Sequence, residues 1–268
     1  MTPDPTSDAT PTSPQVSALA QSLAESNANP QVRFKTEGGR LLLLLPPESD
    51  AQVSVTWNEL YQQLKHRLNA GDRFWKDGTS VHLIGRDRLL DARQLQAIAD
   101  ALLDAGLILK RIYTSRRQTA VAAATIGYSV EQLSPVTPLT QSSGEASNPL
   151  ADPLYLQTTV RSGMEVRHPG SIIILGDVNP GGSVIADGDV LVWGYLRGMA
   201  QAGASGNDRC VIMALRMEPT QIRIAQRVAR APASPDDYHP EVAYVASEGI
   251  RIARAADFPK MRLDSRSS

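Results

Sequence analysis

Few residues in this chain could carry chemistry, and they are scattered. Its four histidines are His66, His82, His168 and His239, and none has a second ligand at metal-binding spacing. Asp177, Asp187 and Asp189 lie close together and raise the question of calcium. The glycine- and aspartate-bearing calcium repeat has a period of about nine residues, whereas glycine here recurs every six, so these three read as solvated corner residues. Cys210 is the single cysteine. Inside the apolar run Cys210-Val211-Ile212-Met213 it reads as a buried structural thiol rather than a nucleophile. A lone cysteine excludes an internal disulfide and fits a reducing cytoplasm. Gly85-Arg86-Asp87 and Gly176-Asp177 lack the pattern of a phosphate-binding loop. These residues lead us to expect no enzyme, no metal site and no cofactor. Two surface features remain. One is Arg161-Ser162-Gly163. The other is the basic group Lys110, Arg111, Arg116 and Arg117, which reads as a solvated strand-to-helix edge.

The element that would have to present Arg161-Ser162-Gly163 follows it directly. Glycine stands at Gly170, Gly176, Gly182, Gly188 and Gly194, every sixth residue. The position two after each is apolar: Ile172, Val178, Val184, Val190 and Leu196. A fixed short period marks a repeat architecture, and alternation inside each unit marks strand, since side chains at i and i+2 share a face. Glycine at each unit's edge suits a sharp corner, where a Cβ would be strained. Short strands with corners and one apolar face stack into a parallel β-helix. A sheet of hairpins is the competing reading, with Asp187-Gly188 as one turn, but a steady six-residue frame over five units suits hairpins poorly.

The rest of the chain divides by composition. Residues 1–31 are rich in Thr, Ser, Pro, Ala and Asp and have too little apolar surface to offset ordering entropy, so a disordered tail is expected. Residues 32–132 alternate strand and helix, the pattern of a small α/β domain. Residues 40–45 read as a strand after the Gly38-Gly39 turn. Thr56 with Glu59 makes a capping box for a helix whose apolar face is Trp57, Leu60, Tyr61, Leu64 and Leu68. Asp91 caps a second helix, and Ser115 a third with the small inward face Ala120, Val121 and Ala124. Residues 133–156, with Pro135, Pro138, Pro149 and Pro153 among Ser, Thr and Gly, read as a flexible linker that lets two halves move nearly independently. Residues 157–257 are the repeat domain, and 258–268 a frayed tail. The chain has 27 basic and 28 acidic residues, which argues against a mainly electrostatic nucleic-acid binder. No signal peptide or spanning segment is legible, so any membrane association would need a partner.

The second half resembles the C-terminal domain of the MinC family, the septum site-determining proteins of bacteria. The residues that carry this are Arg161-Ser162-Gly163, the runs at 175–181, 184–189 and 192–198, and Ala200-Gln201-Ala202-Gly203-Ala204. The match runs in order over about residues 157–255. The first half fits the family's N-terminal domain by layout and by Phe34-Lys35 before a glycine-bearing turn. The resemblance implies a division inhibitor that antagonises FtsZ polymers and the Z-ring. Its C-terminal domain would be a right-handed β-helix that forms a homodimer and binds MinD, an ATPase that carries it to the inner membrane. Its N-terminal domain would bind FtsZ. Carried over residue by residue, Arg161, Ser162 and Gly163 would contact MinD, and Lys35 and Arg197 would engage FtsZ. Met164 stands where the family signature has glutamine, Met199 where it has arginine, and Thr36 where glycine often follows the lysine. Trp193 and Tyr195, placed outward by alternation against Val192 and Leu196, are candidate interface anchors.

Two other readings share the six-residue period. A hexapeptide-repeat acyltransferase would need a histidine base at a subunit groove, and only His168 lies near the repeat. A structural filament of end-to-end stacked β-helices would leave the α/β half without a role.

Overall fold

A computed structural model describes residues 31–38, 40–48, 55–71, 75–133, 150–230 and 239–258. The expected N-terminal tail up to residue 30, most of the expected linker, and the tail from residue 259 lie outside the described residues. Within them the chain is mostly β-sheet with three helices.

The first half follows the expected order. Strands β1 (Arg33–Glu37) and β2 (Arg40–Leu44) form an antiparallel hairpin. Helix α1 (Trp57–Gly71) starts at the Thr56 capping box: Thr56 N–H donates to Glu59 Oε2 at 2.9 Å, and Glu59 N–H to Thr56 Oγ1 at 3.4 Å. Strand β3 (Thr79–Arg86) leads to α2 (Ala92–Asp104), capped by Asp91 with Gln94. Then follow β4 (Leu107–Thr114), α3 (Arg117–Thr125) and β5 (Ser129–Gln132). Strands β2 to β5 run parallel. Leu60, Leu64, Leu95, Ile98 and Leu102 from the helices are buried with Leu41, Leu43, Val81, Leu83 and Ile112 of the sheet. Helical spacing places Leu60, Leu64, Leu95, Ile98 and Leu102 inward; the same spacing would also put Leu103 inward, but it is 66% exposed. On the other face, Leu42, Leu44, Ile84 and Tyr113 form a small cluster. Beside it, burial and the charges of Arg40 and Arg111 push His82 down to about 4. Ser115 does not cap α3. Arg116 is the N-cap residue, without a side-chain hydrogen bond, and Ser115 Oγ donates instead to Arg86 O at 3.0 Å.

The second half is built from short strands: β6 (Ala151–Leu156), β7 (Glu165–His168), β8 (Gly170–Ile174), β9 (Ser183–Ala186), β10 (Val190–Leu196), β11 (Met199–Ala202), β12 (Ile212–Met217) and β13 (Gln221–Ile224). Alternate strands pair in parallel, β6-β8-β10-β12 in one sheet and β7-β9-β11-β13 in another. A third ladder of single bridges joins Val160, Val178 and Leu196. In the first coils partners are offset by 18 residues (Ile172 to Val190, Val166 to Val184, Val178 to Leu196), which is three six-residue units; the offset is 16 from Val184 to Ala200 and grows to 22 where the frame ends (Val190 to Ile212, Ala200 to Ile222). Sequential hairpins would pair antiparallel, and these strands do not. Leu154, Val166, Ile172, Ile174, Val178, Val184, Val190, Leu196, Ala200 and Ile222 are all buried inside. Beyond β13 the chain turns back antiparallel through β14 (Arg227–Ala229), β15 (Glu241–Ala246) and β16 (Gly249–Arg254).

Three expectations change here. The first concerns the glycines. Of the five at six-residue spacing, only Gly176 has positive φ (148°). The others are needed for space. A Cβ on Gly170 would lie 2.2 Å from Ala151 O, and one on Gly194 would lie 2.3 Å from Gly176 O. The frame reports how closely successive coils approach rather than the corner's backbone angles. The second concerns the linker, whose last six residues, 151–156, are strand β6. The third concerns separation of the halves. Strand β5 pairs in parallel with β7, Val130 opposite Val166 and Glu131 opposite Arg167, so one ten-stranded sheet runs from β1 to β14.

Candidate protein-binding ridge

The corner that follows the third ladder repeats on successive coils. Val160 points inward, and the next three residues, Arg161, Ser162 and Gly163, are exposed. Met164 N–H closes the turn on Arg161 O at 3.0 Å, with Gly163 at φ +78°. Glycine is needed at this third position because an L side chain is strained there. One coil on, Gly182 N–H closes on Asn179 O at 2.9 Å, with Gly181 at φ +80° and Pro180 before it, the residue pair that a type II turn favours. The two turns stack. Gly163 N–H donates to Gly181 O at 2.9 Å. A Cβ on Gly181 would come within 2.5 Å of Ser162 Oγ. The third coil turns faster: the N–H groups of Arg197 and Gly198 both donate to Val178 O, at 2.8 and 2.9 Å. Arg161, Asn179 and Arg197 each follow a rung of one ladder. They form a ridge in which Arg161 and Arg197 are two strand spacings apart, roughly 10 Å.

The ridge is charged and partly pre-organised. Arg197 Nη2 donates to Asn179 Oδ1 at 2.5 Å and lies 3.8 Å from Asp177 Oδ2. Its guanidinium stacks on the Tyr195 ring at 4.8 Å, and Arg216 covers the same ring at 4.3 Å. The Tyr195 hydroxyl donates to Glu218, which also pairs with Arg216 at 3.1 Å. Tyr195 is thus a half-buried spacer between two cations and not the outward anchor that alternation suggested. A register shift in β10 between Val192 and Tyr195 breaks the alternation. Trp193 does face out and is 66% exposed. Nor are the corner aspartates merely solvated. Asp177 Oδ1 accepts Tyr195 N–H at 2.8 Å and Asp189 Oδ1 accepts Val211 N–H at 2.9 Å, so each ties one coil to the next.

Met164 is 3% exposed and packs in the core. Its side chain points away from the ridge, so replacing glutamine there removes no outward contact. Met199 is half-buried in β11, one residue after the Arg197-Gly198 corner. Lys35 is elsewhere. It lies on β1, 3.9 Å from Glu37. Five strand steps, roughly 24 Å, separate β1 from β7. The structure therefore brings Arg161, Ser162, Gly163 and Arg197 together and leaves Lys35 apart.

Two features escaped sequence reasoning. The first is an outward apolar row across the six-stranded sheet: Tyr155, Ile173, Leu191 and Met213 stand in register. Leu175 (43% exposed) and Trp193 lie beside it. The uninterrupted apolar runs at 172–175 and 190–193 carry the signal, because a strand apolar at every position is apolar on both faces. The second is the fate of the basic group. Arg111 Nη2 pairs with Glu165 at 2.8 Å and Nη1 with Glu131 at 3.3 Å. Arg117 Nη1 donates to Pro153 O at 3.4 Å. The bonds to Glu165 and Pro153 run between the halves, which a solvated edge would not make.

His168 and the thiol are structural, while His66 and His239 are exposed. His168 is 1% exposed, with Nε2 at 2.9 Å from Asp152 O. Burial, with Asp189 and Asp187 nearby, pushes the Cys210 thiol up to about 11. Among the described residues no group of three His, Cys, Asp or Glu could hold a metal ion, and no helix is long and apolar enough to cross a membrane.

A family model described as "Septum formation inhibitor MinC, C-terminal domain" matches residues 154–255. A probable septum site-determining protein MinC from Nostoc sp. is 57% identical over 88% of this chain, which spans 65% of that protein's length. Proteins of the same name from Gloeobacter violaceus and Synechocystis sp. are 51% and 46% identical. The chain covers 81% of the first and 100% of the second. The chain belongs to the MinC family. A chain of the "MinC:MinD cell division protein complex, Aquifex aeolicus" is 38% identical and has a TM-score of 0.38, with 43% of this chain and 98% of that chain covered. Within the MinC family assignment, the Arg161-Ser162-Gly163 turn, the Asn179–Gly182 corner and the Arg197-Gly198 corner all fall inside the matched residues.

Proposed function

We propose that this chain places the division site without catalysis of its own. It antagonises FtsZ polymers and is carried to the inner membrane by MinD. In this reading the second half is a right-handed parallel β-helix of three-sided coils, an arrangement that the 18-residue offset and the three ladders support. The observation that carries the reading is the ridge: Arg161-Ser162-Gly163 stands exposed on a rigid, hydrogen-bonded stack, as a protein-docking element requires. The apolar row with Trp193 supports a homodimer, since a twofold interface needs one self-complementary patch. Lys35 on the α/β half and Arg197 on the ridge are the residues proposed to meet FtsZ. A dimer with two such halves gains avidity for a polymer. Attachment to the membrane is indirect, through MinD, and the protein stays in the cytoplasm otherwise.

The other readings lose their footing. The acyltransferase needs an accessible histidine base, and His168 is 1% exposed. End-to-end filaments need open coil edges. Here β5 covers one end, and β14 and β15 cover the other.

The test is co-sedimentation with two partners, MinD–ATP on lipid vesicles and FtsZ–GTP polymers. Losing a charge-assisted contact costs about 1.5–3 kcal/mol, so Arg161→Ala should weaken MinD binding roughly 10- to 150-fold and leave FtsZ binding alone. Lys35→Ala should do the reverse. Wild-type MinD affinity in Arg161→Ala, with an unchanged melting temperature, would refute the ridge as the MinD site. Wild-type FtsZ affinity in Lys35→Ala would remove Lys35 from the FtsZ site.

A further inference from the structure

We infer that the α/β half is the cap of the coil stack, docked within its own chain, and that Arg111 is the clasp. This inference is independent of the partner assignments. A stack of coils ends in strands with unpaired backbone groups and an open apolar interior, and such ends need a cover. At the far end β14 and β15 turn back antiparallel over β13 and β12. At the near end the cover comes from the first half. Strand β5 takes the edge of β7, and Val130, 1% exposed, lies opposite Val166, 0% exposed. Helix α3 lies against both β5 and β6. Its inward residues Ala120, Ala123 and Ala124 are fully buried in the same core as Leu154 and Leu156 of β6. That alanine face lets the helix approach both strands closely. Polar groups close the seam. Glu165 N–H donates to Ser129 Oγ at 3.0 Å, and Arg117 reaches Pro153 O.

Arg111 sits across this seam. It projects from β4 and holds Glu131 of β5 and Glu165 of β7 at once. All three side chains are only about a quarter exposed (24%, 22% and 26%). Removing the cation would leave two carboxylates facing each other in a partly buried place, which is strongly unfavourable. The clasp therefore decides whether the seam stays shut. The occupant of the β7 edge is this chain's own β5 and not a second copy's. The connection from β5 to β6 is 18 residues, 133–150, and a tether of that length still keeps the two strands at an effective concentration on the order of millimolar. A closed seam holds Lys35 and the Arg161 ridge at a fixed separation, where a swinging head would not.

The test is hydrogen exchange on the full chain. In the wild type, residues 165–168 should be protected as well as 184–186, at every protein concentration. Arg111→Glu should speed exchange in 129–132 and 165–168 at least tenfold, while 222–224 keep their protection. The swap Arg111→Glu with Glu165→Arg should restore it. Residues 81–84 report whether the α/β half stays folded. If they open in Arg111→Glu, Glu165→Gln gives the same reading from the stack side and must loosen both segments by itself. Residues 165–168 exchanging like the 204–209 loop in the wild type would overturn the inference. So would protection that is lost on dilution, which marks pairing between copies, or a Glu165→Gln variant with unchanged exchange.

Discussion

Replacing Gly194 by alanine should cost far more than any local property of the residue suggests. Its φ is not positive, so alanine can adopt its backbone angles. The cost comes from the neighbouring coil. The added Cβ would lie 2.3 Å from Gly176 O, 2.7 Å from Gly176 C and 2.6 Å from Asp177 Oδ1, where ordinary contact begins at 3.4 Å. Two of these three atoms are backbone, so the coils must part by about 1 Å, an overpacking cost of about 1–3 kcal/mol. The shift also strains the bond from Tyr195 N–H to Asp177, another ~0.5–1.5 kcal/mol. The sum is roughly 1.5–4.5 kcal/mol, a fall in melting temperature of roughly 3–18 °C. The assay is urea denaturation of the full chain beside two controls. Gly85→Ala, whose Cβ would meet Tyr113 O at an ordinary 3.5 Å, should stay within about 0.5 kcal/mol of wild type. Gly163→Ala meets nothing within 4 Å but sits at φ +78°, so it should cost about 1–2 kcal/mol for its backbone alone. A Gly194→Ala variant as stable as Gly85→Ala would refute the claim that the six-residue frame measures coil approach.

Two further outcomes follow from burial. Met164→Gln, which restores the side chain of the family signature, should destabilise the protein by about 1–3 kcal/mol, because it puts an amide into the interior. It should not tighten MinD binding, and a gain in affinity measured by co-sedimentation would show that the position faces the partner. Trp193→Arg should leave the melting temperature nearly unchanged, since the side chain is 66% exposed, while analytical ultracentrifugation shows the dimer constant weakened at least tenfold. A dimer of wild-type strength would move the interface off the apolar row.

Much of the fold was legible from residue types and spacing. The helices capped by Thr56 and Asp91, the inward leucines and the buried valines of the repeat all follow from relations within a few residues. A helix or strand repeats its face every 3.6 or 2 positions, and the sequence carries that period directly. The short strands β5, β6, β7 and β14 were missed, because three to six residues give too few repeats for a period to stand out, and Pro153 disguises β6 as linker. The candidate site was half legible: the Arg161-Ser162-Gly163 motif identified its turn, but not what the turn stacks upon.

By itself the sequence determined the repeat, the family, the turn at residues 161–163, and the lack of any evident clustering of catalytic residues. Only the tertiary structure decided which glycines are required for space, that Met164 faces inward, and that Arg197 shares a ridge with Arg161 while Lys35 does not. It also decided that Arg111 binds Glu165. These facts depend on strand order and coil register, which bring together residues 36 or 54 positions apart (Arg161 to Arg197, Arg111 to Glu165). Local patterning says which face of a strand is apolar. Which strand lies beside it is set by the global burial of edges and interiors, a balance that no short stretch of chain contains.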